Sequence, residues 1–420
     1  MENTSKKSGL IISPRITRRD LLIGMAAAGG VAAITSLGYK TIANKEEDTT
    51  EQMVPFYGVH QAGIVNPSPA QGLIVSFDVL AKNKPDLTRL FKTLTARIEF
   101  LTKGGKIPQQ LNPKLPPINS GVMGDRIYPD NLTVTAAVGA SLFDERFGLS
   151  NLKPVQLINM PAFPNDALDA DRCHGDLLLQ LCSNTAETNI HALRDLIKNL
   201  PDLISLRWQL DGFLPPHTIK KPGESVRNLL GFKDGTANIN ATDEKLMDKL
   251  TWVQPKSAEP AWAAGGTYQV VRIIKNRVEF WDRTPLKEQQ EIIGRDKYTG
   301  APLGMKNEHD IPKYEQDPEG KTIFKDAHMR LANPRKSDLG LILRRGFNYS
   351  RGYSKAGQLD MGLLFVCFQA DLERGFITVQ NRLNGEPLEE YIKPVGGGYF
   401  FALPGVKDSS SYLAKALIEA

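Results

Sequence analysis

Three times along this chain a short apolar run opened by glycine leads into a stretch with helical spacing, and this recurrence limits the fold more than any other feature. Gly72–Leu80 leads into 86–102, where Leu87, Leu90, Phe91, Leu94, Ile98 and Leu101 fall on one face. Gly175–Cys182 leads into 186–200, and Gly362–Gln369 leads into 373–384. Single strands between the helices would build a doubly wound parallel sheet. Further hairpin-like runs at 132–139, 268–275, 278–282 and 398–402 place extra strands between successive helices. That pattern fits a β-α-β-β-α-β unit made twice, an α+β fold with antiparallel sheets. The first and last glycine-opened runs are alike enough to suggest a duplicated unit. The boundary is expected in the loop 211–226, which carries Gly212, Pro215, Pro216, Pro222 and Gly223. The two units are set at 56–218 and 219–420.

The N-terminus has a different character. Lys6, Lys7, Arg15, Arg18 and Arg19 stand in the first twenty residues against Glu2 and Asp20, and Leu21–Leu37 carries no charge. A basic stretch before a short apolar one is the layout of an export signal. The junction Thr17-Arg18-Arg19-Asp20-Leu21-Leu22 reads as a twin-arginine signal within 1–43. The apolar run is too short and too mildly hydrophobic for a comfortable membrane span, which takes about 20 residues. Residues 40–55 are polar and charged, and the linker is set at 44–55. The expected location is therefore extracytoplasmic.

Of the formal charge of +5, residues 1–43 contribute +4 (six bases, two acids), leaving +1 for the remainder. A nucleic-acid surface needs a concentrated basic patch, so that class of partner is excluded. Cys173, Cys182 and Cys367 are odd in number and lack close pairing, so no disulfide framework is expected. Cys173 beside His174 gives only two ligands, which do not make a metal site.

Candidate chemistry concentrates in the second half. Gly231-Phe-Lys-Asp234-Gly235-Thr236-Ala237-Asn238 brackets a carboxylate with glycines, so the backbone can approach a bound ligand, although an Asp-Gly turn reads the same way. Asp326-Ala-His328-Met-Arg330-Leu-Ala-Asn333-Pro334-Arg335 offers a histidine that alone reads as an ordinary hydrogen-bonded residue. Leu341-Ile-Leu-Arg344-Arg345-Gly346 ends an apolar strand in two bases.

Taken in order, these segments resemble the dye-decolorising peroxidases, and more closely the EfeB-type deferrochelatase/peroxidases. The carrying segments are Asn228–Asn238, Asp326–Arg335, Leu343–Tyr349 and Asn384–Tyr391, together with the leader. The resemblance implies a pair of ferredoxin-like domains with one haem b in the second. It implies that Asp234 is the distal aspartate, Arg344 the distal arginine and His328 the iron ligand. Gly235, Thr236 and Ala237 would line the haem, as would Asn333, Pro334 and Arg335, with Arg335 suited to a propionate. Leu364 and Phe368 are expected as apolar cover on the distal side. Glu386, Glu389 and Glu390 are the candidates for accepting the second ring nitrogen of His328. The polar stretch 305–322, with His309 and Asp310, reads as a variable loop.

The residue types suit these roles. Imidazole is a good axial ligand for haem iron. A carboxylate can move a proton between peroxide oxygens, and a fixed cation can stabilise the charge that develops. The implied substrates are hydrogen peroxide with a small reductant, dye, ferrous iron or haem itself. A different class, a haem-binding accessory protein of an iron-uptake system with incidental turnover, fits the same resemblance. Iron-permease components and a second copy of the chain are further expected partners. His60, His174, His191, His217 and His309 are read as structural, with His191 on a helix surface. Trp252, Trp262 and Trp281 read as core aromatics before electron relays. Gly396-Gly397-Gly398 lacks the Lys-Ser/Thr of a phosphate loop and is read as a bend into the last strand.

Overall fold

Eight long strands form the frame. They are β1 (Gln71–Val79), β2 (Thr133–Gly139), β3 (Leu177–Ser183) and β4 (Ile204–Phe213), then β5 (Thr267–Asn276), β6 (Phe347–Tyr353), β7 (Leu359–Gln369) and β8 (Ile392–Ala402). The computed structural model describes residues 49–215 and 224–420. The expected leader 1–43 and the unit boundary at 218/219 lie outside the described residues, as does His217. From Thr50 onward the expected linker is bonded to the body: Asp130 donates its backbone N–H to Thr50 and Asn131 to Gln52.

All pairings between these strands are antiparallel, and the first four lie in the order β4-β1-β3-β2. The last four lie in the order β8-β5-β7-β6, the same topology repeated. Each half is thus a ferredoxin-like β-α-β-β-α-β unit. The halves join through three residue pairs between β2 and β8 and through Asn348 opposite Phe213 between β6 and β4. The sheet closes into a ring, which removes the open edges of two separate sheets.

Helix α1 (Lys84–Lys103) begins where the Asn83 side chain accepts the Asp86 N–H and ends at Gly104, whose φ is 70°. The apolar face read from the sequence is the face it buries, against Leu73, Val75 and Phe77 on the outer side of β1. Each such side chain contributes roughly 1.5–3 kcal/mol of gross burial, so Leu94→Ala should cost about 2–5 kcal/mol. Helix α2 (Ala186–Asn199) covers the same side. The inner face of the ring has its own core, including Ile74, Leu178, Val271, Phe347, Leu364, Val366, Phe368 and Phe400.

Several expectations are corrected. The Gly72 and Gly362 runs are not equivalent copies: the first is strand one of its unit, the second strand three. The run 278–282 is not a strand, because Val278 and Trp281 are buried at helical spacing in the turn Val278–Trp281. The Gly396–Gly398 run is inside β8 rather than before it. There a Cβ on Gly397, with φ 117°, would lie 2.0 Å from the Val271 carbonyl oxygen, so only glycine admits this strand contact. His191 is not on the helix surface; it is buried and its Nδ1 lies 2.9 Å from the Ser120 hydroxyl.

Candidate functional site

The cavity of interest lies on the outer side of the second unit's sheet, under its helices. Leu363 and Phe365 line it from β7, while Leu364, Val366 and Phe368 point into the ring. The expected distal cover of Leu364 and Phe368 is therefore displaced by one residue, which in a strand reverses the face. Helices α3 (Leu286–Ile293), α4 (His328–Ala332) and α5 (Thr378–Leu383) give Ile293, His328, Val379 and Leu383 to the lining.

Asp234 ends a two-residue ladder, Val226–Arg227 against Lys233–Asp234. Its turn is built by Asn228, whose side-chain oxygen accepts the N–H groups of Leu230 and Phe232. Gly235 follows at φ 115°, and no atom lies within 4 Å of where its Cβ would stand. Arg344 sits where Leu343–Arg344 pairs with β7, opposite Cys367. Its Nη1 donates to Asp234 Oδ1 at 2.7 Å, a charge-assisted pair facing the cavity. Asn238 ties the two segments together through both backbone groups of Arg344.

His328 opens its short helix, and its Nδ1 lies 2.8 Å from Glu386 Oε2 and 3.0 Å from Oε1. Of the three acceptors considered, Glu386 holds the ring; it is buried, whereas Glu389 accepts the Gly385 N–H. Burial opposes a charged imidazole, but the Glu386 carboxylate and its hydrogen bond outweigh it and raise the pKa. With Nδ1 committed, Nε2 is the nitrogen left for a ligand. Asn333 accepts the Arg335 N–H, which supports the left-handed turn of Arg335 at φ 61°. The Arg335 guanidinium forms no ion pair among the described residues. Asn333, Arg335, Gly235, Thr236 and Ala237 line the cavity, and Pro334 does not.

Two residues at the site were not singled out in the sequence. Glu308 is buried inside the stretch read as a variable loop and accepts from Lys233 and Thr236. Arg295, also buried, donates to the Gly300 and Glu308 carbonyls. Their signal in the sequence was only a charged residue in a polar loop. Among the other candidates, His60 stacks on Trp252 at 3.8 Å, and the Trp281 indole donates to the Leu230 carbonyl.

A model of the Dyp-type peroxidase N-terminal domain matches residues 61–214, and one of the Dyp-type peroxidase C-terminal domain matches 225–407. The chain belongs to the Dyp-type peroxidase family. The deferrochelatase of Escherichia coli (strain K12) is 61% identical over 374 residues, covering 88% of each chain. That of Shigella flexneri serotype 5b is 57% identical over 408 residues, covering 96% of this chain and 97% of the relative. Among solved structures, a DyP-type peroxidase from Cellulomonas bogoriensis superposes with a TM-score of 0.79 at 35% identity, covering 89% of this chain and 99% of that one. Ferric DtpA from Streptomyces lividans gives 0.80 at 32% identity, with the same coverage.

This Dyp-type peroxidase is a haem-dependent enzyme with haem b as cofactor. The residues present fit that group. One imidazole nitrogen is left for iron, a glycine leaves open space beside the cavity, and Arg335 has no acidic partner among the described residues. Among the described residues no cluster of three or more His, Cys, Asp or Glu could hold a bare metal ion. A porphyrin supplies the donors that such a site lacks.

Proposed function

We propose that this peroxidase handles hydrogen peroxide between Asp234 and Arg344 and holds haem iron through His328. The observation that carries the reading is that the Asp234–Arg344 pair and the His328–Glu386 pair face one cavity. Haem b, when bound, supplies the iron at which the O–O bond is split and the two oxidising equivalents are kept. The Asp234 carboxylate takes the proton from one peroxide oxygen and returns it to the other, which leaves as water. Arg344 Nη1 keeps that carboxylate oriented and stabilises negative charge on the departing oxygen. Glu386 accepts the Nδ1 proton of His328, fixes the ring and raises its basicity. Gly235, Ala237 and Arg335 line the cavity and would help to hold the haem, the Arg335 cation suiting its carboxylates.

The substrate reading follows the relatives, whose names make them deferrochelatases. We infer that haem iron, released with the porphyrin intact or met as ferrous ion, is the physiological business of this enzyme. Export by the twin-arginine leader, an extracytoplasmic site of action and contact with an iron permease belong to the same proposal. Its support is Arg18-Arg19 ahead of an uncharged run, a route suited to a protein that carries its cofactor folded. One spectrum of the purified protein before and after stoichiometric peroxide tests the peroxidase reading, and an unchanged Soret band would end it. Incubation with excess haem tests the chelatase reading, which requires metal-free porphyrin to appear.

A further inference from the structure

Glu308 has no part in the proton transfers described above, yet it holds both strands of the ladder in which Asp234 stands. It accepts the Lys233 ammonium on Oε2 at 2.5 Å and the Thr236 hydroxyl on Oε1 at 3.0 Å. The Ser225 backbone N–H reaches Oε1 at 3.3 Å, just ahead of Val226, which pairs with Asp234 across the ladder. Lys233 and Thr236 lie one residue before and two residues after Asp234, so the carboxylate is gripped from both sides. Glu308 is itself fixed, because Arg295 donates to its carbonyl at 3.0 Å and to that of Gly300 at 2.7 Å. Gly300 comes close to the lysine stem: a Cβ there would stand 2.7 Å from Lys233 Cδ.

The alternatives for Lys233 are weak. Glu224 lies 3.7 Å from the ammonium but is 47% exposed, whereas the Glu308 side chain is 8% exposed. A pair this buried carries a desolvation cost that apolar packing would avoid, so stability alone gives little reason for it. What it does supply is a fixed position for the loop between Lys233 and Thr236.

We propose that Glu308 is a positioning residue for peroxide chemistry: through Lys233 and Thr236 it sets the Asp234 carboxylate against Arg344. The inference rests on the reading that Asp234 and Arg344 handle peroxide. Displacing a reacting group by about 1 Å can cost about 10²-fold in rate, so loosening this loop should slow the peroxide step well beyond assay error. The reductant step does not use the Asp234 proton transfer and should not follow.

The test compares Glu308→Gln, Thr236→Val and Asp234→Asn as haem-loaded proteins. Rate constants are taken separately for peroxide and for one dye reductant, together with the rate of cyanide binding. Cyanide enters as HCN and must give up its proton to a distal base, so it reports the same carboxylate without turnover. The expected result for Glu308→Gln and Thr236→Val is a loss of about tenfold or more in the peroxide and cyanide constants. In Glu308→Gln, haem content and the reductant constant should stay near wild type. Should Glu308→Gln fail to fold or lose haem, Thr236→Val decides, since it removes one bond and strands no charge. Wild-type peroxide and cyanide constants in these variants, alongside a slow Asp234→Asn, would overturn the role of Glu308. A fast Asp234→Asn would instead overturn the reading beneath it.

Discussion

The Asn238 side chain bonds both backbone groups of Arg344, its amide donating to the carbonyl at 2.8 Å and its oxygen accepting the N–H at 2.9 Å. Asn238 lies four residues beyond Asp234, so one side chain joins the loop of the carboxylate to the strand of the cation. Asn238→Leu keeps the approximate volume and deletes both bonds. It should destabilise the fold by about 1–3 kcal/mol through stranded backbone groups and slow the peroxide reaction. Denaturant unfolding and stopped-flow absorbance on one preparation check the two effects.

The iron-ligand side gives a second expectation. His328→Ala should lose the haem, because among the described residues no other histidine lines the cavity. Glu386→Gln should keep the haem but hold it about 10–100-fold less firmly, since the carboxylate orients the ring and raises its basicity. A less basic imidazole favours ferrous iron, so the reduction potential should rise. Apomyoglobin competition and spectroelectrochemistry are the measurements. A Gln variant with unchanged affinity and potential would remove Glu386 from the role.

Acid should release the Glu308 link. Burial works against its ionisation, but the bonds from Lys233, Ser225 and Thr236 prevail and lower the pKa from 4.5 to about 2. A lowered carboxylate pKa stabilises the fold above the unfolded value, and that stability is lost as pH falls from about 4.5 towards 2. Unfolding of wild type and Glu308→Gln across pH should show a gap at neutrality that narrows below about pH 4.5. A gap independent of pH would show that the charge is not what matters.

Much of this was legible in the sequence, and the reasons for the remainder are physical. The face of α1 could be read because one side of that helix meets solvent, which leaves a periodic signal. In β7 the signal fails, since Phe365 faces the cavity and Leu364 the ring, and a strand covered on both sides has no alternation to read. Strand β4 does carry the alternation, with Trp208, Leu210 and Gly212 buried between exposed Arg207, Gln209 and Asp211, but Gly212 and the prolines that follow drew its end into the expected loop 211–226. Closure of the ring depends on short seams such as Asn348 with Phe213, which no local pattern announces. Asp234 and Arg344 are 110 residues apart, and family resemblance alone could pair them. Glu308 stayed hidden because its partners are close only in the folded chain.

Export supplies a prediction outside the described residues. Arg18→Lys with Arg19→Lys keeps the charge but removes the arginine pair that a twin-arginine receptor reads. The doubly substituted protein should remain in the cytoplasm with its haem. Cell fractionation with haem staining checks this, and secretion at the wild-type level would mean the leader is read by another route.

The two distal groups separate an enzyme from a haem carrier. Asp234→Asn keeps the shape of the side chain but removes the base, while Arg344→Leu removes the cation and its 2.7 Å bond to Asp234. Neither residue is assigned to the iron, so haem content should hardly change in either variant. General acid–base help is typically worth about 10²–10⁴-fold, and at least one variant should react with peroxide slower by an amount in that range. Arg344→Leu should in addition weaken fluoride binding to the ferric protein, because the anion loses its hydrogen-bond donor. A carrier would show the reverse: peroxide kinetics near wild type in both variants, with altered haem capture or release. Stopped-flow peroxide kinetics and haem affinity on the same preparations distinguish the two, and equal peroxide rates in all three proteins would leave only the haem site standing.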